Sequence, residues 1–136
     1  MSAADAILWQ NVIFDAQAVS LWLNNDRAIL GRLTLLRRTQ TRILVCANTL
    51  IELAAHPRHR GLAWLASFVL VEPVTAQLAM DAGDLLRKAR LTGHNHAIDA
   101  SVAALALQQT GATAIMTSDP DDMYQLCGDQ IDIVTV

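Results

Sequence analysis

The sequence lacks the features that mark membrane proteins, disulfide-rich domains and secreted proteins. No apolar run approaches the roughly 18 residues that a membrane span needs, although 53% of the 136 residues are hydrophobic. The two cysteines, Cys46 and Cys127, lie far apart in apolar segments, so we expect buried free thiols rather than a redox or zinc motif. The N-terminal segment carries an acid, Asp5, where a signal peptide is basic. We therefore expect a cytoplasmic protein that forms one domain over residues 1–136.

Lysine is also scarce, and the basic charge is carried by arginine. Lys88 is the only lysine, and seven arginines lie between Arg27 and Arg60. The net charge of −3 at first argues against nucleic-acid binding. Six of the 13 acids, however, belong to the segments of one candidate site, and without them seven acids remain against ten basic residues; the six are Asp15, Glu52, Asp99, Asp119, Asp121 and Asp122. The rest of the chain is therefore mildly basic, which is compatible with an anionic partner.

Five short apolar segments alternate with amphipathic segments along the whole chain. We predict strands over 11–14, 42–46, 68–71, 112–116 and 131–134, with one or two helices between successive strands. This order predicts an α/β fold with a five-stranded parallel sheet and helices on both faces. The pattern contains no internal repeat and no low-complexity segment.

Carboxylates recur where strands end and helices begin. Asp15 follows the first strand, Glu52 lies one turn into the helix after the second, and Asp119 follows the fourth. Asp99 is expected in the first turn of the helix before the fourth strand, and Asp122 comes three residues after Asp119. If the first and fourth strands are neighbours, these acids converge at the switch point of the sheet.

Helix capping offers a purely structural explanation for each acid. Asp15 and Asp119 stand at N-cap positions, the latter followed by Pro120. Thr49 and Glu52 have the spacing of a capping box. Capping alone does not require acids at four elements along one sheet edge, so the set favours a functional site.

Clustered carboxylates repel one another unless a cation neutralises them. Oxygen-only ligation, without histidine or cysteine, selects hard ions, so the pattern predicts Mg²⁺ or Mn²⁺ rather than zinc. Such an ion supports hydrolysis of a phosphodiester by metal-activated water. A response-regulator receiver also binds Mg²⁺ on a parallel sheet, but here the third strand ends in Glu72-Pro73 and the only lysine lies in a helix.

The whole chain resembles the PIN domain, and specifically the VapC-type toxins of toxin–antitoxin modules. The resemblance is carried by the strand that ends at Asp15, the helix start 49–52, and two more specific motifs, HAIDA at 96–100 and AIMTSDPDD at 114–122. It implies a three-layer α/β/α sandwich, a single PIN domain over residues 1–136, and a Mg²⁺- or Mn²⁺-dependent endoribonuclease. It also implies a cognate antitoxin and an RNA substrate such as tRNA or rRNA.

The resemblance assigns roles to individual residues. The catalytic acids would be Asp15, Glu52, Asp99 and Asp119, and the metal ligands would be Asp15, Asp99, Asp119 and Asp122. Thr117 and Ser118 would support the last acid, either as hydrogen-bond donors or as a backbone cap. Gln17 departs from the small polar residue that many relatives carry two residues after the first acid.

Other residues have two interpretations. Arg27, Arg32, Arg37 and Arg38 either form a solvated helix face or contact RNA or antitoxin. His96 is expected to cap its helix or support the metal ligands, and Trp22 and Trp64 are expected in the core. The apolar segments 19–23 and 27–39 are where we expect an antitoxin helix, and the apolar excess suggests a homodimer. The alternative to an enzyme is a catalytically silent PIN-like module that docks RNA or protein.

Overall fold

A computed structural model describes residues 9–56 and 60–136. The chain alternates strands and helices in the predicted order. The elements are β1 Asn11–Phe14, α1 Ala16–Leu23, α2 Arg27–Arg38, β2 Arg42–Cys46, α3 Ala47–Ala54, α4 Leu62–Ala66, β3 Leu70–Glu72, α5 Ala76–Ala89, α6 Gly93–Gln108, β4 Thr113–Thr117, α7 Pro120–Cys127 and β5 Asp132–Thr135.

The five strands form one parallel sheet in the order β3-β2-β1-β4-β5. β1 is central and fully buried, which explains its continuous apolar run, since a strand covered on both faces has no solvent side. It pairs with β4 so that Phe14 lies beside Met116. The predicted adjacency of the first and fourth strands is therefore confirmed, and the order reverses at β1.

Helices cover both faces of the sheet, each over its own apolar core. Phe14, Ile29 and Val45 belong to a buried cluster with α1, α2, α3 and α4. Leu44 and Ile115 point to the opposite cluster, which is formed with α5, α6 and α7. This arrangement is the predicted three-layer α/β/α sandwich. Both cysteines are buried free thiols, as expected, and none of the described helices is long and apolar enough to cross a bilayer.

The start of α6 differs from the prediction. We expected a single long helix over 75–91 and a new helix near His96, but α5 ends at Ala89 and α6 already begins at Gly93. Arg90 adopts a left-handed φ of 58° that ends α5, and Thr92 then takes the N-cap position of α6. Asp99 therefore lies in the second turn of its helix rather than the first.

Three smaller predictions are also wrong. The capping box at 49–52 does not form, because α3 begins at Ala47 with Cys46 as its N-cap. Trp64 is 56% exposed rather than part of the core, since α4 is only one turn long and covers the sheet with Leu65 alone. Leu30 was expected to face inward and is 37% exposed. Trp22 is buried as expected, edge-on against Phe14 with ring centroids 5.9 Å apart.

Candidate metal centre and active site

The predicted acids meet at the carboxyl edge of the sheet, beside β1 and β4. A cleft of about 270 Å³ is lined by Asp15, Glu52, Asp99 and Asp119, together with Gln17 and Ser118. These side chains come from the end of β1, from α3, from α6 and from the end of β4. The cleft lies at the point where the strand order reverses, which is where ligands bind in open parallel sheets.

Asp15 caps α1 and lines the cleft at the same time. Its Oδ1 accepts a hydrogen bond from the backbone N–H of Ala18 at 2.9 Å, and its Oδ2 accepts one from Ser118 N–H at 3.3 Å. The residue is only 6% exposed. Burial raises its pKa, the hydrogen bonds from Thr117, Ala18 and Ser118 act in the opposite direction, and the nearby charge of Asp119 adds a further increase.

Asp119 occupies the N-cap position of α7, but its side chain makes no capping hydrogen bond to that helix. Instead, its backbone N–H donates to Thr117 Oγ1 at 2.9 Å. The predicted capping role of the Asp119 side chain is therefore wrong. Its carboxylate lines the cleft, where its charge acts on both Asp15 and Asp99.

Asp99 shows how closely the acids converge. Its pKa is raised to about 6, first by burial and then by the charges of Asp119, Asp15, Asp122 and Glu52. The carboxylates of these four acids thus lie close enough to Asp99 to disfavour its ionised form. An arrangement of this kind is electrostatically costly unless a cation or a proton is bound.

The closest group of ligand atoms includes a histidine. His96, Asp99 and Asp122 each offer one atom, and these atoms lie within 4.8 Å of one another. His96 and Asp99 share one face of α6 because they are three residues apart. His96 Nδ1 lies 3.6 Å from Asp122 Oδ2, which is an ion-pair separation, and it has no hydrogen-bond partner among the described residues.

The predicted capping role of His96 is not found, because Thr92 is the N-cap of α6. Its position favours a metal-supporting or metal-binding role. Two of the four predicted metal ligands, Asp99 and Asp122, belong to the close group, whereas Asp15 and Asp119 line the adjoining cleft. Carboxylates with one imidazole fit a divalent cation, and the neutralisation of repelling acids gives that cation a physical reason to bind.

Thr117 and Ser118 connect the first and last acids. The Thr117 side chain is fully buried. Its hydroxyl is hydrogen-bonded to the Asp15 carboxylate and accepts a hydrogen bond from the backbone N–H of Asp119. Ser118 contributes its backbone N–H to Asp15. The resemblance implied that both residues support Asp119; Thr117 does so through the Asp119 backbone, whereas Ser118 contacts Asp15 instead. Gln17 is exposed and lines the same cleft, so the departure from the family pattern lies at the rim.

The four arginines of α2 are all exposed but face different surfaces. Arg37 lines a groove of about 620 Å³ that is partly apolar, with Trp22, Leu23, Trp64 and Phe68, and partly polar, with Asn25, Thr34 and Arg60. Arg32 lines a cleft of about 360 Å³, and Gln17 lines both that cleft and the acidic one. Sequence reasoning did not separate these surfaces, although the helical spacing from Arg32 to Arg37 places them on different faces.

Comparisons with known proteins identify the family and the fold. The family model described as PIN domain matches residues 12–128. No curated protein sequence matches the chain. A chain of the crystal structure of VapBC2 from Rickettsia felis, bound to a DNA fragment from their promoter, is similar with a TM-score of 0.67 and 12% sequence identity. The similarity covers 93% of this chain and 98% of that one.

Proposed function

The chain belongs to the PIN domain family, and from this membership and its acidic cleft we propose that it is a metal-dependent endoribonuclease. The observation that carries the proposal is the convergence of five acids from separate elements at one switch point. We further propose that it is the VapC-type toxin of a toxin–antitoxin module, because a chain of a VapBC complex shares its fold over nearly the full length of both.

Under this proposal the acids divide into two groups by position. Asp99 and Asp122, with His96 beside them, form the close ligand group, and Asp15 and Asp119 complete the metal site from the ends of β1 and β4. Mg²⁺ or Mn²⁺ held by these residues would supply Lewis-acid chemistry for hydrolysis of a phosphodiester. We propose that Glu52, which is exposed on the α3 side of the cleft, orients the attacking water or accepts its proton.

The remaining residues of the cleft hold this arrangement in place. Thr117 and the Ser118 backbone keep the Asp15 carboxylate turned into the site through hydrogen bonds. The Asp119 side chain makes no capping hydrogen bond to α7. Ligands that are oriented by such neighbours bind a cation with less rearrangement, which is how supporting hydrogen bonds raise metal affinity.

We propose that Arg32 contacts the RNA substrate. It lines a cleft that shares Gln17 with the acidic cleft, so a nucleic-acid strand in the active site passes near it. Arginine suits phosphate recognition because its planar guanidinium donates two parallel hydrogen bonds. Arg27 and Arg38 are exposed on the same helix and add to its positive charge. An enzyme with an RNA substrate such as tRNA or rRNA would act in the cytoplasm.

We propose that the antitoxin binds the groove lined by Arg37, Trp22, Leu23, Trp64 and Phe68. This groove lies between α1, α2 and α4, where the sequence predicted an antitoxin helix. Its apolar lining suits the apolar face of a helix, and Arg37 at its rim suits an acidic residue of the partner. The exposed apolar residues of β3 and α5 lie elsewhere, and we assign them to a homodimer.

The test is cleavage of total cellular RNA by antitoxin-free protein with Mg²⁺, with Mn²⁺ and with EDTA. We expect discrete cuts that need the metal and are lost in Asp99→Asn. Asp121→Asn is the matched control, because Asp121 is an exposed acid on the neighbouring α7. Well-folded protein that cleaves no RNA with either metal would refute the enzyme and leave a silent PIN module that docks RNA or protein.

A further inference from the structure

Asn48 on α3 and Ser101 on α6 are joined by a partly buried hydrogen bond. Asn48 Nδ2 donates to Ser101 Oγ at 2.8 Å, and the Ser101 hydroxyl donates onward to the backbone carbonyl of Ala97 at 2.9 Å. Neither residue lines the cleft itself. These two hydrogen bonds nevertheless link α3, which carries Glu52, to α6, which carries Asp99.

The spacing along each helix relates this bond to the acids. Glu52 comes four residues after Asn48, so both lie on one face of α3, one turn apart. Asp99 lies between Ala97 and Ser101, within the turn of α6 that the Ser101 hydroxyl closes. A shift of either helix at this bond therefore moves a carboxylate of the site by a comparable distance.

The two helices belong to different layers of the fold. Leu53 of α3 packs in the core on the α1–α4 face, whereas Ala100 and Val102 of α6 pack in the core on the opposite face. Each core positions its own helix, but neither determines the separation between Glu52 and Asp99. The Asn48–Ser101 bond spans the carboxyl edge of the sheet and links the layers at that point.

A contribution to folding stability does not by itself explain why an asparagine occupies position 48. Its Oδ1 is buried without a hydrogen-bond partner among the described residues. An unpaired buried carbonyl costs more than one neutral hydrogen bond returns. Polar groups that are retained at such a cost are typical of functional sites.

We infer that Asn48 and Ser101 are positioning residues that hold the turn of α6 carrying Asp99 against α3 and thereby tune the affinity of the site for a divalent cation. The inference rests on the proposed metal-dependent function. Loss of the bond lets α6 move relative to α3, so that Asp99 and His96 on α6 must reorganise when the cation binds.

The experiment measures Mn²⁺ binding to the full chain by calorimetry and by electron paramagnetic resonance, without RNA. We expect Asn48→Ala and Ser101→Ala each to weaken Mn²⁺ binding about three- to tenfold, the size expected for one hydrogen bond. The double variant should bind Mn²⁺ no more weakly than Ser101→Ala alone, because Ser101→Ala already removes the bond from Asn48 as well as the bond to Ala97. Ser101→Thr keeps the hydroxyl and should restore most of the affinity.

Asn11→Ala is the matched control. Asn11 is also a buried asparagine, and it donates to Thr113 Oγ1 at 3.3 Å and to the Thr110 carbonyl at 2.9 Å at the amino end of the sheet. It should lose stability without losing Mn²⁺ affinity. If Asn48→Ala and Ser101→Ala bind Mn²⁺ as tightly as the parent protein does, the positioning role is wrong, whereas the metal site itself is supported. A parent protein that binds no Mn²⁺ would overturn the metal site and the positioning role together.

Discussion

Asp99 is the residue on which the opposing demands of folding and function are clearest. Its carboxyl is partly buried among four other acids, and its pKa rises from 3.8 to about 6 as a result. The folded protein therefore holds the Asp99 proton more tightly than the unfolded chain does. A site built to bind a cation is destabilising while the cation is absent.

This shift gives a pH-dependent prediction for Asp99→Asn. Because the folded pKa is the higher one, the contribution of Asp99 to stability falls as pH rises from about 4 to about 6 and stays low above that. At pH 7.5 with EDTA, the variant should be more stable than the parent by roughly 1–3 kcal/mol, after allowance for partial exposure. The difference should nearly vanish at pH 4.

Urea unfolding of both proteins at pH 4 and pH 7.5 measures this difference. Asp121→Asn, at an exposed position of α7, should change stability little at either pH. Equal stability of the parent and Asp99→Asn at pH 7.5 would show that the acids do not repel one another as the geometry indicates. With Mn²⁺ present the order should reverse, because only the parent gains the full binding free energy.

Gly111 is required by the turn before β4. It has a φ of +90°, and an added Cβ would overlap the side chain of Gln10. Gly111→Ala should therefore lower the free energy of unfolding by about 1–2 kcal/mol, the cost of a strained φ plus a local shift. The double variant Gln10→Ala, Gly111→Ala should recover only the part of this loss that comes from overlap with the Gln10 side chain. Denaturant midpoints of the parent, the two single variants and the double variant separate the cost of overlap from the cost of the strained φ.

The elements of the fold show how a partner surface arises from a short helix. α4 has only five residues and buries Leu65 alone. Trp64 and Phe68 consequently remain 56% exposed, with ring centroids 4.8 Å apart, and line the groove with Trp22 and Leu23. Exposed aromatic residues around an apolar groove are typical of protein interfaces.

Trp64→Ala should therefore weaken antitoxin binding at least about tenfold, as expected for an aromatic anchor of an interface. Thermal stability and RNA cleavage should change little, because the side chain is more than half exposed and lies outside the acidic cleft. Tyr124→Ala is the control, since Tyr124 is equally exposed on α7. Calorimetric titration with the cognate antitoxin decides the matter, and equal affinities of the two variants would contradict the assignment of the groove.

At the scale of the whole molecule, the two edges of the sheet differ in character. β5 carries the exposed residues Asp132 and Thr135, and Asp132 accepts a hydrogen bond from Trp9 at 2.8 Å. β3 presents Leu70 and Val71, both exposed, at the opposite edge. An apolar edge strand is prone to pairing with another chain, so the β3 edge is the surface that a second copy would cover.

We expect the protein to be a homodimer in solution through β3 and the start of α5. Met80, which is 67% exposed on α5, extends this apolar surface. Met80→Glu together with Leu70→Glu should convert the dimer to a folded monomer, because charges buried at an interface are costly. Leu35→Glu, at an exposed position of α2, should leave the dimer intact. Light scattering after size-exclusion chromatography measures the mass, and an unchanged dimer in the double variant would exclude this edge.

Much of the fold was predictable because its signals are local. Apolar runs such as 11–14 predicted buried strands, and the order of elements predicted a parallel sheet with β1 beside β4. Boundaries were less accurate where two signals competed. The Thr92-Gly93 pair is typical of a helix end, but Thr92 is the N-cap of the next helix, because Arg90 already ends α5.

The sequence by itself determined the layered α/β architecture, the buried cysteines and which acids stand at strand ends, because each depends on residue type and short-range spacing. Only the tertiary structure decided which side chains meet. It brought His96 to Asp122, assigned Thr117 to Asp15, and linked Asn48 to Ser101 across two layers. These contacts join residues far apart in the chain, and their distances depend on how separate cores pack, which no local pattern encodes.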